Sequence, residues 1–278
     1  MSSLNIHKEE MITSSSPDIK IRLRRDYPSN EPKCVLVCHH GVTLHLEYFS
    51  TLAKEMNKSN IIVYSFDARG HGKSEGKKGY LKTIFEMVED LKVVIDLAKK
   101  ENEKLPIFLI GHSLGGLIAS IFATKYQNKI NGLITLAAVL RENMNVLEHF
   151  PFDKDPEIYL PLKDVFKVKD KTKLNPEDLP KMSPLVLDKL SISIIKCVYE
   201  GIDYLKKECK KLDIPIFVIN GSEDNFVSVK DAIEFYMETE AKDKSLSIYS
   251  GFGHIAINEE NGNLILNHII EWILFRVK

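Results

Sequence analysis

The chain has 278 residues, of which 44% are hydrophobic and 28% charged, and its formal net charge is −1. This length and hydrophobic content are sufficient for one large α/β domain or for two small ones. The balanced charge argues against nucleic acid or an anionic membrane as an obligate partner.

The expected location follows from what the sequence lacks. Residues 1–16 have neither the basic start nor the apolar core of a signal peptide, and no run of about 18 apolar residues predicts a transmembrane helix. The cysteines show no metal-ligand spacing; they are Cys34, Cys38, Cys197 and Cys209. We therefore expect a reduced, cytoplasmic protein that uses no metal ion or other cofactor.

The chain begins with two predicted strands. The segments 4–13 and 18–25 are separated by a turn-rich link, which predicts an antiparallel hairpin. In the second segment Ile19, Ile21 and Leu23 alternate with basic residues, a pattern typical of a half-exposed strand. We therefore expect this second strand at a sheet edge.

Beyond the hairpin, buried strands and helices alternate, which predicts an α/β fold with a mostly parallel central sheet and helices on both faces. The predicted strands are 33–38, 60–67, 107–112, 130–138, 214–220 and 245–249, and the predicted helices are about 47–58, 81–103, 117–126, 228–238 and 262–276. The alternation stops between 141 and 212, where prolines and charged loops surround one amphipathic helix at about 184–209. We predict a core formed by 1–140 and 213–278 and an inserted cap, 141–212, over the carboxyl edge of the sheet, where ligands bind such folds.

One predicted strand ends in G-H-S-L-G at 111–115, which is the G-x-S-x-G pattern of a nucleophile elbow. A serine on a sharp strand-to-helix turn needs small neighbours, and Gly111 and Gly115 supply them. Ser113 would then stand above the sheet near a helix N-terminus, where developing negative charge is stabilised. Ordinary glycine-rich turns contain the same pattern, so the interpretation depends on partners elsewhere in the chain.

A serine nucleophile needs a base, and the base needs an acid that fixes its tautomer. In a sheet of this order both should follow later strands, with the acid before the base. Asp224 follows the strand 214–220 and His254 follows the strand 245–249, so these are the predicted acid and base. Asp224 is also in position to cap the next helix, and Glu223 is a substitute acid.

A tetrahedral intermediate also needs an oxyanion hole. One donor should be the N–H that follows the nucleophile, which belongs to Leu114. The second should come from the loop after the strand 33–38, where Gly41 permits the turn and the Val42 N–H follows it. His40 is predicted to brace this loop through hydrogen bonds.

With these residues assembled, the chain resembles the serine hydrolases of the α/β-hydrolase superfamily, most closely the monoglyceride lipases and lysophospholipase-like enzymes. The matching motifs are H-G-x-x-x-H at 40–45, D-A-R-G-H-G-K-S-E-G at 67–76, G-H-S-L-G-G at 111–116 and G-x-x-D at 221–224. The resemblance covers essentially the whole chain outside most of the cap. It implies the α/β-hydrolase fold, an acyl-enzyme on Ser113, and a structural role for the segment that contains Asp67 and His71.

The chain departs from the family pattern at Thr43, Leu44 and Phe49, so the reaction is better defined than the substrate. We expect hydrolysis of a small acyl ester or lipid with a single chain, such as a monoacylglycerol or lysophospholipid. An apolar cap would line the acyl channel and allow transient, peripheral contact with membranes. The candidate channel residues are Met144, Leu147, Phe150, Phe152 and Phe166.

Several alternatives stay open at this point. Packing within the cap explains the candidate channel residues as well as substrate binding does. The same Ser113, Asp224 and His254 also fit a small-molecule carboxylesterase, a thioesterase or a peptidase. A non-catalytic binding protein fits least well, because such proteins typically lack one member of the triad.

Overall fold

The computed structural model of the protein describes residues 6–142, 151–166 and 174–277. Its strands are β1 (Ile6–Thr13), β2 (Lys20–Tyr27), β3 (Cys34–His39), β4 (Ile61–Phe66), β5 (Ile107–His112), β6 (Gly132–Leu136), β7 (Tyr159–Pro161), β8 (Lys189–Ser191), β9 (Ile216–Gly221) and β10 (Lys244–Tyr249). Its α-helices are α1 (Ser50–Lys58), α2 (Phe85–Glu101), α3 (Leu114–Tyr126), α4 (Leu162–Val165), α5 (Leu179–Met182), α6 (Ile192–Glu208), α7 (Val229–Glu238) and α8 (Asn263–Leu274).

Within the described residues, eight strands form one sheet in the order β1-β2-β4-β3-β5-β6-β9-β10. All neighbours from β4 to β10 are parallel, whereas β2 pairs antiparallel with both β1 and β4. The strands β3, β4, β5, β6 and β9 are buried along their whole length, as expected when helices flank a parallel sheet. The predicted mostly parallel α/β sheet is confirmed.

The predicted edge position of the second strand is wrong. β2 lies between β1 and β4, so β1 is the edge strand. Two of the basic side chains that suggested exposure are buried in ion pairs: Arg22 lies 2.8 Å from Glu9, and Arg24 lies 2.7 Å from Glu47. The carboxylates accept hydrogen bonds from guanidinium groups that the alternation pattern had predicted to be exposed to solvent.

Between β6 and β9 the chain leaves the sheet, within the limits 141–212 of the predicted cap. The helix predicted at about 184–209 is confirmed in part: α6 begins at Ile192, after β8, and it packs against α3. A Cβ added at Gly201 of α6 would lie 3.1 Å from side-chain carbons of Ile84 and Leu117, so the two elements are close. No strand was predicted in this part of the chain, whereas the structure has two short strands there, β7 and β8, that pair antiparallel. The division into core and cap stays a prediction.

An ion pair and hydrogen bonds join the insertion to the rest of the molecule. At its start, the Arg141 side chain is 1% exposed and lies 2.6 Å from the Glu238 carboxylate. Further along, the Ser191 N–H and hydroxyl both donate to the Gly79 carbonyl, at 3.0 and 2.8 Å. Ser191 caps the start of α6, and Gly79 belongs to the loop that follows the carboxyl end of β4, so this end of α6 lies at the carboxyl edge of the sheet.

Candidate active site

Ser113 lies at the sharp turn between β5, which ends at His112, and α3, which begins at Leu114. Its backbone has φ 55° and ψ −121°, a conformation that is strained for a residue with a side chain. The turn is fixed because the Ser113 N–H donates to the Leu136 carbonyl at 3.0 Å, and the Ser113 carbonyl accepts from the Val139 N–H at 3.2 Å. The structure therefore holds this serine in the geometry of a nucleophile elbow.

Close backbone approach explains the glycines around this turn. A Cβ added at Gly111 would collide with the carbonyl oxygen of Gly115, and one added at Gly115 would collide with the carbonyl oxygen of His39. A Cβ at Gly116 would collide with Ala138. The expectation that the elbow needs small neighbours is confirmed, and its cause is the tight packing of α3 on β3, β5 and the end of β6.

The carboxylate of Asp224 lies beside the imidazole of His254. Asp224 Oδ2 is 2.8 Å from His254 Nδ1, while Oδ1 accepts from the N–H groups of Phe226 and Val227 at 2.8 and 3.0 Å. The Asp224 side chain is 0% exposed and that of His254 is 9% exposed. With Nδ1–H donated to the carboxylate, Nε2 is the ring nitrogen available to act as a base.

Two other interpretations were open from the sequence: Asp224 as the cap of the next helix, and Glu223 as the acid. The cap of α7 is Ser228, whose hydroxyl oxygen accepts from the Lys230 N–H at 3.2 Å. The Glu223 side chain is exposed, and its N–H donates to the Phe252 carbonyl at 2.9 Å. The carboxylate within hydrogen-bond distance of the imidazole is that of Asp224.

His112 connects the two loops that carry Ser113 and His254. Its Nε2 donates to the His254 carbonyl at 2.9 Å, and its ring stacks on Tyr48 with 4.3 Å between centroids. Burial lowers the pKa of His112 well below its usual value, so the ring is neutral. Sequence reasoning missed this residue, because its partner is a carbonyl that the chain brings close only after folding.

The predicted oxyanion donors Val42 and Leu114 line the same cavity as Ser113. Leu114 is the first residue of α3, so its N–H has no acceptor within the helix. Before Val42, a Cβ added at Gly41 would lie 2.9 Å from His112 Nδ1 and 3.0 Å from Ser113 Cβ. The glycine therefore lets the oxyanion loop approach the nucleophile closely.

His40 braces this loop as a neutral side chain. Its Nε2 accepts from the Ala68 N–H at 2.9 Å, and its Nδ1 donates to the Gly41 carbonyl at 2.8 Å. Burial lowers the pKa of His40 well below the usual value, which favours the neutral form that these two bonds require.

Asp67 and His71, for which the family resemblance implied a structural role, hold backbone groups. The two carboxylate oxygens of Asp67 accept from the N–H groups of Leu46 and Lys73, each at 2.8 Å. His71 Nδ1 lies 2.9 Å from the Arg69 carbonyl. These contacts fix the loop 67–76 behind the oxyanion loop.

A cavity opens at Ser113. Apart from Ser113, Thr43, His112 and His254, its lining is glycine and apolar side chains. The lining residues from the predicted cap are Phe166, Leu179, Ile195 and Val198. An apolar cavity that ends at a serine and a histidine has the polarity expected of a site for an acyl chain with a reactive group at its end.

The structure describes two of the five candidate channel residues, and it places only one of these two in the cavity lining. Phe166 lines the cavity and packs edge-on against Phe226, with 5.3 Å between ring centroids. Phe152 lies outside the lining, because its ring packs edge-on against Tyr199 at 5.2 Å. The remaining three lie outside the described residues; they are Met144, Leu147 and Phe150.

Three lining residues of the insertion were not predicted from the sequence: Leu179, Ile195 and Val198. Ile195 and Val198 belong to the broad apolar stripe of α6, which also packs on α3. A stripe that wide does not indicate which of its residues face a cavity.

Within residues 6–142, 151–166 and 174–277, no three histidine, cysteine or acidic side chains are grouped so that they could hold a metal ion. No helix in that part of the chain is long and apolar enough to cross a membrane. The four cysteines are free and buried, and burial raises the pKa of Cys34 and of Cys197 to about 12.

A model of the Hydrolase_4 family, described as serine aminopeptidase, S33, matches residues 30–261. The chain is 24% identical over 260 residues to the monoacylglycerol lipase of Mycolicibacterium smegmatis, which covers 89% of this chain and 90% of that protein. It is also 24% identical over 257 residues to the monoglyceride lipase of Homo sapiens, which covers 88% of this chain and 84% of that protein.

Solved structures show the same fold. The crystal structure of a monoacylglycerol lipase from Paleococcus ferrophilus has a TM-score of 0.77 at 24% identity and covers 91% of this chain and 99% of its own. A soluble variant of the monoglyceride lipase from Saccharomyces cerevisiae, in complex with a substrate analog, has a TM-score of 0.82 at 19% identity and covers 100% of this chain and 98% of its own. The predicted α/β-hydrolase fold, the resemblance to monoglyceride lipases and the class of serine ester hydrolase are confirmed.

Proposed function

The chain belongs to the Hydrolase_4 family, serine aminopeptidase S33, and on that premise we propose that it cleaves carboxylic esters of single-chain acyl lipids through an acyl-enzyme on Ser113. One observation carries the proposal: a strained serine and a histidine bound to a carboxylate share the wall of one apolar cavity. Monoacylglycerols and lysophospholipids have an ester at the end of one acyl chain, which matches the polarity of that cavity.

In the acylation step, Ser113 Oγ attacks the ester carbonyl carbon while His254 Nε2 takes the hydroxyl proton. Asp224 stabilises the imidazolium that forms, and its bonds from two backbone N–H groups keep it oriented. The N–H groups of Val42 and Leu114 stabilise the negative charge on the former carbonyl oxygen. Collapse of the intermediate breaks the bond to the alcohol, which leaves with the proton from His254.

In the deacylation step, His254 takes a proton from water, and the hydroxide oxygen attacks the acyl carbon on Ser113. Collapse of the second tetrahedral intermediate breaks the bond between the acyl carbon and Ser113 Oγ, which takes the proton back from His254, and the fatty acid leaves. The neutral His112 supports both steps, because a second positive charge beside His254 would oppose formation of its imidazolium.

The substrate is supported by the cavity and by the relatives. Their names make a monoacylglycerol the first ester to test, and a lysophospholipid the second. Two exposed apolar side chains of the insertion, Ile158 and Met182, support transient contact with a lipid surface from which the enzyme would take such a substrate. The cytoplasm is the location that we propose for this reaction.

The experiment that tests this function is labelling by a fluorophosphonate probe. We expect the wild type to be labelled and the Ser113→Ala variant not to be labelled. The matched control is Ser120→Ala, which removes a buried hydroxyl from the same helix and should leave labelling unchanged, because Ser120 Oγ donates to the Gly116 carbonyl. Labelling that persists in Ser113→Ala would reject the assigned nucleophile.

Hydrolysis rates then test the substrate. We expect kcat/KM to be higher for monoacylglycerols of long and medium chain than for p-nitrophenyl acetate, an acyl thioester and an aminoacyl amide. A preference for the acetate, the thioester or the amide would reject the lipid substrate and leave the serine hydrolase in place.

A further inference from the structure

The oxyanion loop, residues 41–45, is held by the insertion at two points. The Thr43 carbonyl accepts a hydrogen bond from the Leu187 N–H at 3.0 Å. The His45 Nε2 lies 3.0 Å from the Ser183 hydroxyl oxygen. Both partners belong to one short segment of the insertion, residues 183–187, so this segment and the loop are connected directly.

The segment 183–187 is a compact turn and therefore a firm support. The Val186 N–H donates to the Ser183 carbonyl at 3.1 Å, and the Leu185 N–H donates to the Ser183 hydroxyl oxygen at 3.2 Å. The Ser183 hydroxyl accepts from Leu185 and shares a hydrogen bond with His45 Nε2, whose direction is set by the tautomer of the imidazole. Burial lowers the pKa of His45, which favours the neutral ring.

The loop itself contains a strained residue at the position where this support matters. Thr43 has φ 118°, in a region that β-branched residues rarely adopt. Such a conformation persists only where neighbouring contacts hold it. Thr43 directly follows Val42, so relaxation of Thr43 would move the backbone that carries the proposed oxyanion donor.

The contacts on either side of the strained residue come from the core and from the loop itself. His40 holds the Gly41 carbonyl, and Asp67 holds the Leu46 N–H. The Leu44 N–H also donates to the Gly41 carbonyl at 3.2 Å, which closes a turn around Thr43. The carbonyl of Thr43 receives its hydrogen bond from Leu187, so the insertion adds a contact at the strained residue itself.

We propose that Ser183 and Leu187 are positioning residues that hold the Val42 N–H in the oxyanion hole. The insertion then contributes to turnover as well as to binding. This inference rests on the proposed function, because it takes Val42 as a donor to the tetrahedral intermediate.

The test compares two serine variants that each remove one hydroxyl between the insertion and the core. Ser183→Ala removes the bond to His45, and Ser193→Ala removes the bond to the Leu81 carbonyl, away from the oxyanion loop. The substrate is p-nitrophenyl acetate, whose acyl group is too short to depend on the cavity. We expect Ser183→Ala to lower kcat about 10-fold, less than the 10²–10³ that follows complete loss of one oxyanion donor, while KM changes less than about twofold. Ser193→Ala should leave kcat unchanged.

Two further measurements separate positioning from a general loss of structure. The inhibition constant of a trifluoromethyl ketone, which forms a charged adduct with the serine, should rise by the same factor as kcat falls. Ser183→Thr retains the hydroxyl and should restore kcat. In a double-mutant cycle, His45→Ala combined with Ser183→Ala should lower kcat no more than either change alone, because both remove one contact.

The outcomes distinguish this inference from the proposed function. An unchanged kcat in Ser183→Ala, or an equal loss in Ser193→Ala, would overturn the positioning role while Ser113-dependent hydrolysis continues. Absence of Ser113-dependent hydrolysis in the wild type would reject the proposed function itself.

Discussion

The elbow and the insertion meet at one cavity, but different kinds of contact hold them. Around Ser113, backbone packs on backbone, as where Gly115 touches the His39 carbonyl. The insertion is held by the side chains of α6 against α3 and by hydroxyl groups such as that of Ser191 on the Gly79 carbonyl. Backbone contacts leave no room for an added atom, whereas side-chain contacts can be replaced. The proposed nucleophile thus lies where the packing excludes added atoms, and the proposed substrate-binding residues of the insertion lie where side chains can be exchanged.

The largest effect should come from the acid on the elbow side. Asp224→Asn keeps an oxygen for the N–H groups of Phe226 and Val227 but no longer accepts from His254 Nδ1–H. We expect kcat to fall by about 10⁴ with little change in stability, because the imidazole loses the tautomer that the base requires. The measurement is kcat on the best monoacylglycerol, with circular dichroism as the check on folding.

The control for this prediction is the neighbouring carboxylate. Glu223→Gln alters an exposed side chain, and we expect kcat to change less than about twofold. If Glu223→Gln reduced kcat as much as Asp224→Asn, the assignment of the acid would be wrong.

Two glycines test the difference in packing directly. Gly115→Ala forces a Cβ into a backbone carbonyl, and we expect it to lower the free energy of unfolding by about 3 kcal/mol or more. Gly201→Ala in α6 meets only side-chain carbons of Ile84, Leu117 and Ile121, at 3.1–3.2 Å. Those side chains can adjust, and alanine favours the helix by about 1 kcal/mol, so we expect a change near zero. Urea unfolding measures the free energy of unfolding of both variants. Equal losses in the two variants would contradict the difference between backbone packing at the elbow and side-chain packing at α6.

Acid should destabilise the elbow side of the molecule. Burial lowers the pKa of His39 and His71 to about 4, and those of His40 and His112 well below their usual value. Unfolding restores a pKa near 6.5, so between pH 6.5 and 4 the unfolded chain binds more protons than the native one. The free energy of unfolding therefore falls as the pH falls, by up to about 1.4 kcal/mol per pH unit for each histidine.

Urea unfolding between pH 8 and pH 4.5 measures this slope. His71→Asn should make the decline shallower, whereas His7→Gln, an exposed change on β1, should leave it unaltered. A free energy of unfolding that is independent of pH between 6.5 and 4.5 would show that these histidines are not neutral in the folded protein.

The contrast between the elbow and the insertion also explains which features could be predicted from the sequence. Ser113 and Asp224 each follow a buried apolar strand, β5 and β9, which can be predicted from the sequence alone. His254 follows the edge strand β10, which was predicted from the alternation of strands and helices along the chain. The position of β2 was not predicted, because the burial of Arg24 depends on Glu47, a partner in a later part of the chain. In the insertion, the sequence did not distinguish Ile195 and Val198, which line the cavity, from the residues of α6 that pack on α3. Both sets belong to one apolar stripe with the same helical periodicity.

The smallest predicted effect lies on the insertion side and compares two phenylalanines. Phe166 lines the cavity, and Phe152 packs on Tyr199 outside it. Phe166→Ala removes a ring from the acyl channel, so we expect kcat/KM for a long-chain monoacylglycerol to fall about 10-fold, within the range for lost apolar contact with a substrate.

For p-nitrophenyl acetate we expect kcat/KM of Phe166→Ala to change less than about twofold, because the acetyl group does not reach the lining that this ring forms. Phe152→Ala should lower stability and leave the ratio of long-chain to short-chain activity as in the wild type. An equal loss on both substrates in Phe166→Ala would mean that this ring acts on His254 through Phe226, whose ring centroid lies 4.9 Å from that of the imidazole. In that case the insertion would influence the base as well as the acyl chain, and the division between a reactive part held by backbone packing and a selective part held by side chains would fail at this contact.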